Sequence, residues 1–277
     1  MNLIEAIVVA VIQGATELFP VSSLGHAVVL PALLNLSLDQ KAPSFLPFLV
    51  LLHLGTATAL LLFFWSDWWL LVIGLLGLSS PHQRRESRRV FVRIVVATIP
   101  AVVVGFLLEK FLRGLFGTPL VAAGFLVLNG LVLMVGERIR TMGHRPLSAL
   151  TVMDAFVIGC SQCAALVPGI SRSGITIVAG LLRGVDHEGA AHFSFLIATP
   201  IILGATVLEV PKLLKADVPP GVFLDAGIAA GVAGVTALLV TWFLMRYFRA
   251  NDDMALNPFA FYCIAGGLGA IGWLLFR

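Results

Sequence analysis

Gln13 and Glu17 stand four residues apart, so on a helix both side chains leave the same face. Ser22, Ser23 and His26 follow closely. In a second stretch Ser171, Arg172, Ser173, Gly174 and Thr176 crowd together. Arginine is a planar five-donor cation suited to phosphate or carboxylate. Hydroxyls add donors, and a Gly-rich break at a helix N-terminus offers backbone N–H groups to an anion. The second stretch therefore reads as a phosphate cradle. A lone carboxylate such as Glu17 repels phosphate, and a divalent cation, Mg²⁺ or Ca²⁺, held by Glu17 and bridging to phosphate oxygens resolves that conflict. His26 and a neighbouring Ser then suit acid/base and nucleophilic roles. The competing reading is a buried Glu17–Arg172 ion pair that only staples two segments together. It leaves His26 and the hydroxyls unused.

These polar residues sit in a very apolar chain. Of 277 residues, 59% are hydrophobic and 12% charged, about half the charge of an ordinary soluble domain. Disorder is excluded by the same numbers, and 3 Cys exclude a disulfide scaffold. Long continuous apolar runs point to a helical membrane protein and not to a β-barrel. The pI near 9.0 reflects Arg in loops, read as membrane orientation and not as nucleic-acid binding. The N-terminus shows no basic n-region or small-residue cleavage site, so no removable signal peptide is expected.

Six stretches are expected to cross the bilayer: 46–65, 94–108, 120–136, 193–209, 225–245 and 259–276. The run from Trp68 to Leu78 is too short to cross and reads as an interfacial helix anchored by Trp65, Trp68 and Trp69. Residues 3–30 and 155–185 are different, because each apolar run is interrupted, one by Pro20 to Gly25 and the other by Pro168 to Gly174. Such breaks release backbone groups that must be satisfied by protein or water. Both stretches read as re-entrant hairpins. Charges inside a bilayer cost roughly 3 kcal/mol on insertion scales and usually mark function, which singles out Glu17, His26 and Arg172.

On this layout one side of the membrane receives 66–93, 137–154, 183–192 and 246–257, with Arg84, Arg85, Arg88, Arg89, Arg93, Arg138, Arg140, Arg145, Arg183, Arg246 and Arg249. The other receives Lys41, Lys110, Arg113, Lys212, Lys215 and Arg277. The bias puts the first side in the cytoplasm and both termini outside. A shift of 149 positions superposes the two hairpins: Glu5 on Asp154, Gln13 on Gln162, Ser22 on Ser171, Gly25 on Gly174. The chain then reads as a single polytopic membrane domain, 1–277, built from two repeats, 1–149 and 150–277. Each repeat is a hairpin followed by three crossings. Three is odd, so the repeats have inverted topology, with the functional centre where the broken helices meet.

Other polar residues read more plainly. His53, in an apolar run, reads as a packed, hydrogen-bonded residue. His82, His144, His187 and His192 read as solvated at loops or helix ends. Cys160 and Cys163 form a C-x-x-C without the surrounding fold of a redox motif. Gly227, Gly231 and Gly234 are spaced for close helix contact, including a homodimer seam. The Arg84–Arg93 cluster reads as a topology signal.

The run Gln13-Gly-Ala-Thr-Glu17-Leu-Phe-Pro20-Val-Ser22-Ser23-Leu-Gly25-His26 resembles the first signature of the bacterial undecaprenyl-diphosphatases of the bacitracin-resistance type. Pro168-Gly-Ile-Ser171-Arg172-Ser173-Gly174 resembles their second, and the likeness spans essentially the whole chain, including Phe193-Ser-Phe-Leu196. The resemblance implies a multi-pass enzyme of the bacterial cytoplasmic membrane. It would remove the terminal phosphate of undecaprenyl diphosphate, with a divalent cation, at a site opening toward the outer face. By position, Gln13 and Glu17 form the family's acidic motif, whose first position is Glu or Gln. Glu17 would bind metal or act as base, Ser23 would be the nucleophile and His26 the acid/base or, on another reading, the nucleophile. Arg172 with Ser171, Ser173 and Thr176 would hold the diphosphate. Gln13 cannot carry charge, so this chain brings one carboxylate to that motif. His192 stands where the family mostly has Arg. The rival expectation is a transporter for a lipid phosphate or another anion, because inverted repeats with broken helices are also transporter architecture. Hydrolysis and re-orientation of the product in one protein would use the same symmetry.

Overall fold

The computed structural model describes residues 3–34, 45–115, 118–140, 145–215 and 222–276. They form the helices α1 (Leu3–Thr16), α2 (Ser23–Leu34), α3 (Phe45–Phe63), α4 (Trp65–Leu75), α5 (Pro81–Leu107), α6 (Glu109–Leu115), α7 (Pro119–Ile139), α8 (Val152–Gln162), α9 (Arg172–Leu182), α10 (His187–Lys215), α11 (Val222–Ala250) and α12 (Asn257–Phe276). Short 3-10 turns lie at Leu147–Ala149 and Cys163–Leu166. Among the described residues there is no strand beyond one isolated bridge, Arg145 to Val185. Lys41, His144 and Arg277 lie outside the described residues, as do the side chains of Arg113, Lys212 and Lys215.

Five helical stretches are long and apolar enough to cross a membrane: Pro81–Leu107, Pro119–Ile139, His187–Leu208, Phe223–Ala250 and Asn257–Phe276. α3 and α4 are long and apolar enough only together, as a pair bent by 75° at Phe64 that brings the number to six if it is one span. The protein is an all-α, multi-pass membrane protein. Large apolar side chains such as Phe106, Leu224, Phe261 and Trp273 point outward from the spans, as lipid-facing residues must. The bend makes α4 the short helix expected after the first span. Trp65 and Trp69 are exposed, and Trp68 is partly buried against the core.

The helix carrying the second span begins well before its apolar stretch. Residues 81–93 had read as part of a loop, but they are helical. Ser80 accepts the Gln83 N–H at 3.3 Å as N-cap and Pro81 takes the first helical position. Arg, Gln and Glu then continue the helix because they are good helix formers.

Neither interrupted stretch forms a spanning helix. Residues 3–34 give α1 and α2, and 152–182 give α8 and α9, each too short for a 30 Å core at 1.5 Å per residue. Their packing is reciprocal: α1 lies on α11, and α8 lies on α5. Small residues permit the close approach. A Cβ on Gly14 would fall 2.4 Å from the Ala233 carbonyl oxygen, and one on Gly159 would fall 2.4 Å from that of Ala97. The glycines of α11 behave unequally. Gly234 packs on Gly55 of α3, while Gly227 and Gly231 meet nothing within 4 Å among the described residues.

The four segments assigned to one side by the charge bias do meet at one end of the bundle. Arg93 donates to the Ser148 carbonyl, Arg145 to the Arg183 carbonyl, and His192 lies 3.4 Å from Asp67 while stacking on Phe64. His187 corrects the expectation of a solvated residue at a helix end. Its ring is fully buried, with Nε2 2.9 Å from Glu137 and Nδ1 2.8 Å from Asp252. The connection from α11 to α12 folds over the start of α10 and covers it.

Candidate active site

After α1 the chain leaves helical geometry at Glu17, whose N–H still reaches the Gln13 carbonyl at 2.9 Å. It re-enters a helix at Ser23 by way of Ser22, which holds φ at 68°. That left-handed conformation costs a non-glycine residue roughly 1–2 kcal/mol. Two hydrogen bonds compensate, because the Ser22 Oγ accepts the N–H of Gly25 at 3.1 Å and of Gly169 at 3.2 Å. The first caps α2. The second ties the first break to the second.

The second break is built on the same plan. Ser171 caps α9 by accepting the Gly174 N–H at 3.1 Å, the counterpart of Ser22 and Gly25 at the offset of 149. Gly169 holds φ at 107°, and a Cβ there would lie 2.4 Å from the Ala122 carbonyl oxygen. Only glycine fits. Asn129 of α7 clamps both breaks: its Nδ2 donates to the Pro20 carbonyl at 3.0 Å and its Oδ1 accepts the Ser171 N–H at 2.9 Å.

This frame brings Glu17 and Arg172, 155 residues apart, within 3.1 Å. Arg172 Nη2 donates to Glu17 Oε1, while its Nη1 is held by the Ser194 carbonyl at 3.0 Å. The other carboxylate oxygen receives Gln13 Nε2 at 3.1 Å and Ser23 Oγ at 2.6 Å, and His53 Nε2 lies 3.2 Å away. His53 Nδ1 meets the Leu49 carbonyl at 2.7 Å, so the nitrogen facing Glu17 donates only in the imidazolium form. Four side chains thus converge on one buried carboxylate. A serine hydroxyl at 2.6 Å from a carboxylate is a charge-assisted hydrogen bond, poised for transfer of its proton.

The remaining expected residues divide into two groups. His26 makes no hydrogen bond to Glu17 or Ser23. Its Nδ1 meets the Ser22 carbonyl at 2.7 Å, so Nε2 is free to accept from the Tyr262 hydroxyl at 2.8 Å. The hydroxyls of Ser171, Ser173 and Thr176 serve the scaffold. Ser173 donates to the Phe19 carbonyl, Ser171 contacts Ser173, and Thr176 donates to the Arg172 carbonyl at 2.7 Å while pairing with Ser194 Oγ. Three residues at the site, Asn129, Ser194 and Tyr262, are not singled out by the sequence, and His53, read there as packed and hydrogen-bonded, has Glu17 as its partner. Each is a polar side chain inside an apolar span. Ser194 also lies in the Phe-Ser-Phe run quoted for the resemblance.

The donor set limits how a metal would bind. Among the described residues no three His, Cys, Asp or Glu side chains cluster as metal ligands. Both oxygens of Glu17 are engaged, and the uncommitted acceptor beside it is Gln13 Oε1, buried and without a hydrogen-bond partner. Glu17 with this amide oxygen fits a hard divalent cation only when phosphate oxygens complete the coordination.

Comparison with known proteins agrees with these motifs. The chain is 64% identical to an undecaprenyl-diphosphatase of Granulibacter bethesdensis, covering 100% of this chain and 98% of the relative. It is 55% identical to an undecaprenyl-diphosphatase of Acidiphilium cryptum, covering 96% of each. One of Gluconacetobacter diazotrophicus is 53% identical, over 96% of this chain and 95% of the relative. A family model described as bacitracin resistance protein BacA matches residues 6–269. With both signature runs meeting at one buried carboxylate, the chain belongs to the bacitracin resistance protein BacA family.

Proposed function

We infer that the protein is an enzyme that hydrolyses undecaprenyl diphosphate to undecaprenyl phosphate and inorganic phosphate, recycling the carrier lipid for peptidoglycan synthesis. The relatives named for that activity match over their full length. The observation that carries the chemistry is Ser23 Oγ donating to Glu17 at 2.6 Å while Arg172 holds the other carboxylate oxygen.

Glu17 takes the Ser23 proton as Oγ forms a bond to the terminal phosphorus. The bond from that phosphorus to the bridging oxygen breaks, and undecaprenyl phosphate leaves. Glu17 passes that proton to the departing undecaprenyl phosphate. It then takes a proton from the attacking water, whose hydroxyl bonds to the phosphorus as the bond to Oγ breaks, and returns that proton to Ser23. Arg172, fixed by Ser194, stabilises the charge that develops on the phosphoryl oxygens, where a preorganised cation is worth most. His26 takes the acid/base role through Nε2 once the Tyr262 hydroxyl that bonds it gives way to water. A divalent cation, Mg²⁺ or Ca²⁺, held by Glu17 and Gln13 would neutralise phosphate charge when bound. The prenyl tail lies between helices, continuous with bilayer lipid.

In this reading the site belongs to two inverted repeats, 1–149 and 150–277, whose broken helices meet at Glu17 and Arg172. The arginine-rich end of the bundle faces the cytoplasm of a bacterial inner membrane, and the site opens outward. The open face at Gly227 and Gly231 is where a second copy would pack.

The test is phosphate release from undecaprenyl diphosphate by detergent-purified protein, with and without EDTA. A detergent micelle has no second compartment, so an enzyme turns over and a carrier does not. Turnover that EDTA abolishes supports the metal-assisted reading. Absence of any phosphate release from folded protein returns the site to the transporter class.

A further inference from the structure

A second concentration of cationic chemistry lies away from the hairpin breaks. A cleft of about 470 Å³ opens on the surface between α5 and the entry to α8. Arg88, Arg89 and Arg93 line one wall, and Leu150, Thr151 and Val152 line the other. Among the described residues none of these three arginines has a carboxylate partner within 4 Å. Arg93 spends one donor on the Ser148 carbonyl. The acidic groups nearby attract Arg93 only from beyond ion-pair distance: the Glu86 side chain is half-buried, and Asp154 is held by Arg145 at 3.0 Å and Arg183 at 2.6 Å.

Two further features distinguish this cleft from a solvated charged face. Arg89 and Arg93 stand four residues apart with Arg88 beside them, so like charges crowd the cleft wall of α5, which destabilises a helix unless something neutralises them. Both walls change character at the same level. Above Arg93, α5 carries Arg84, Arg85, Arg88 and Arg89 with Phe91 and Val92 exposed among them, and below it the exposed residues, such as Val95, Ile99 and Val102, are all apolar. Beyond Thr151, Val152, Met153 and Phe156 are exposed. The cleft therefore sits at the boundary between water and hydrocarbon, with cations above an apolar bed. A topology signal needs only charge on one side of the membrane. It needs no pocket, and it needs no apolar wall beneath the charges.

We propose that Arg88, Arg89 and Arg93 form a binding site for the phosphate headgroup of an anionic glycerophospholipid, whose acyl chains lie along the exposed apolar surfaces of α5 and α8. Guanidinium groups match phosphate oxygens in geometry and charge, and basic pockets at the ends of membrane helices are suited to anionic lipid headgroups. The lipid would bridge α5 to the start of the hairpin that carries Arg172. The site is independent of the hydrolytic reading.

The test titrates delipidated, detergent-purified protein with phosphatidylglycerol, phosphatidylcholine or inorganic phosphate, following its thermal unfolding. Phosphatidylglycerol raises the transition temperature saturably, and the other two do not. In the triple variant Arg88→Gln/Arg89→Gln/Arg93→Gln the concentration needed rises about a hundredfold. The double variant Arg84→Gln/Arg85→Gln, on the same helix but outside the cleft, responds as wild type. An unchanged response in the triple variant overturns the proposal, as does an equal response to phosphatidylcholine. Stabilisation by inorganic phosphate alone overturns the lipid assignment in favour of a free-anion site. Should the triple variant not fold, Arg88→Gln decides: about a fivefold weakening supports the site, and no change overturns it.

Discussion

A carboxylate surrounded by four donors explains why one side chain can dominate this site. Gln13, Ser23, His53 and Arg172 all point at Glu17, so its negative charge is held where burial alone would be costly. On the proposed mechanism Arg172→Ala removes the cation that faces the transferred phosphoryl group, so it should lower kcat about a thousandfold or more, while circular dichroism and melting show a folded protein. Full activity in that variant would reduce the Glu17–Arg172 contact to a structural staple. His53→Ala should lower kcat by about ten- to a hundredfold, as loss of a supporting partner does, read from initial rates at saturating substrate. The sequence reading identified Glu17, Ser23 and Arg172 because charge and hydroxyls at helix breaks in an apolar chain are conspicuous. It read His53 as packed and hydrogen-bonded, which it is, but not as a partner of Glu17, because that contact spans 36 residues and no local pattern encodes it. Ser171, Ser173 and Thr176 were legible as hydroxyls near the cradle, but not as groups already committed to Phe19, Arg172 and Ser194.

At the scale of elements, the site exists because two helix breaks bond to each other. Ser22 accepts from Gly169, and Asn129 spans Pro20 and Ser171. Gly169→Ala introduces a side chain into a left-handed conformation and toward the Ala122 carbonyl. It should destabilise the protein by about 3 kcal/mol, seen as a lower melting temperature. Asn129→Ala leaves a buried N–H and a carbonyl unsatisfied, so it should cost about 1–3 kcal/mol and lower kcat with it, because the distance from Glu17 to Arg172 depends on the clamp. The breaks themselves were legible, since Pro, Gly and Ser interrupt otherwise continuous apolar runs. Five of the six expected crossings were legible from apolar length, and the sixth, 46–65, falls on the bent pair α3 and α4. The helical start of α5 was not, because an apolar window cannot see a polar helix held by its own cap at Ser80.

Across the whole molecule, polar networks fasten the arginine-rich end of the bundle. Glu137 of α7 accepts from His187 of α10 and from the Leu256 N–H at 3.1 Å. Asp154 at the start of α8 is buried, which alone would raise its acidity constant's pKa. The Thr151 N–H, Arg183, the Thr151 hydroxyl and Arg145 outweigh that burial and hold the carboxyl well below the usual range. A depressed folded-state pKa stabilises the protein above the unfolded value near 4 and loses that contribution as pH falls toward the folded one. Asp154→Asn should therefore melt lower than wild type by an amount worth about 1–2 kcal/mol at neutral pH. The gap should be constant above about pH 5 and should narrow in stronger acid. The charge count anticipated that these segments share a side, but it could not show that His187 is buried among them, because that depends on a loop from the far end of the chain.

The central claim is that Ser23, activated by Glu17, attacks the terminal phosphorus. The most direct measurement is the initial rate of phosphate release from undecaprenyl diphosphate by Ser23→Ala beside wild type, in the same detergent and at the same metal concentration. The account predicts a loss of at least about a thousandfold with the fold intact. A Ser23→Ala protein that turns over at the wild-type rate would contradict it.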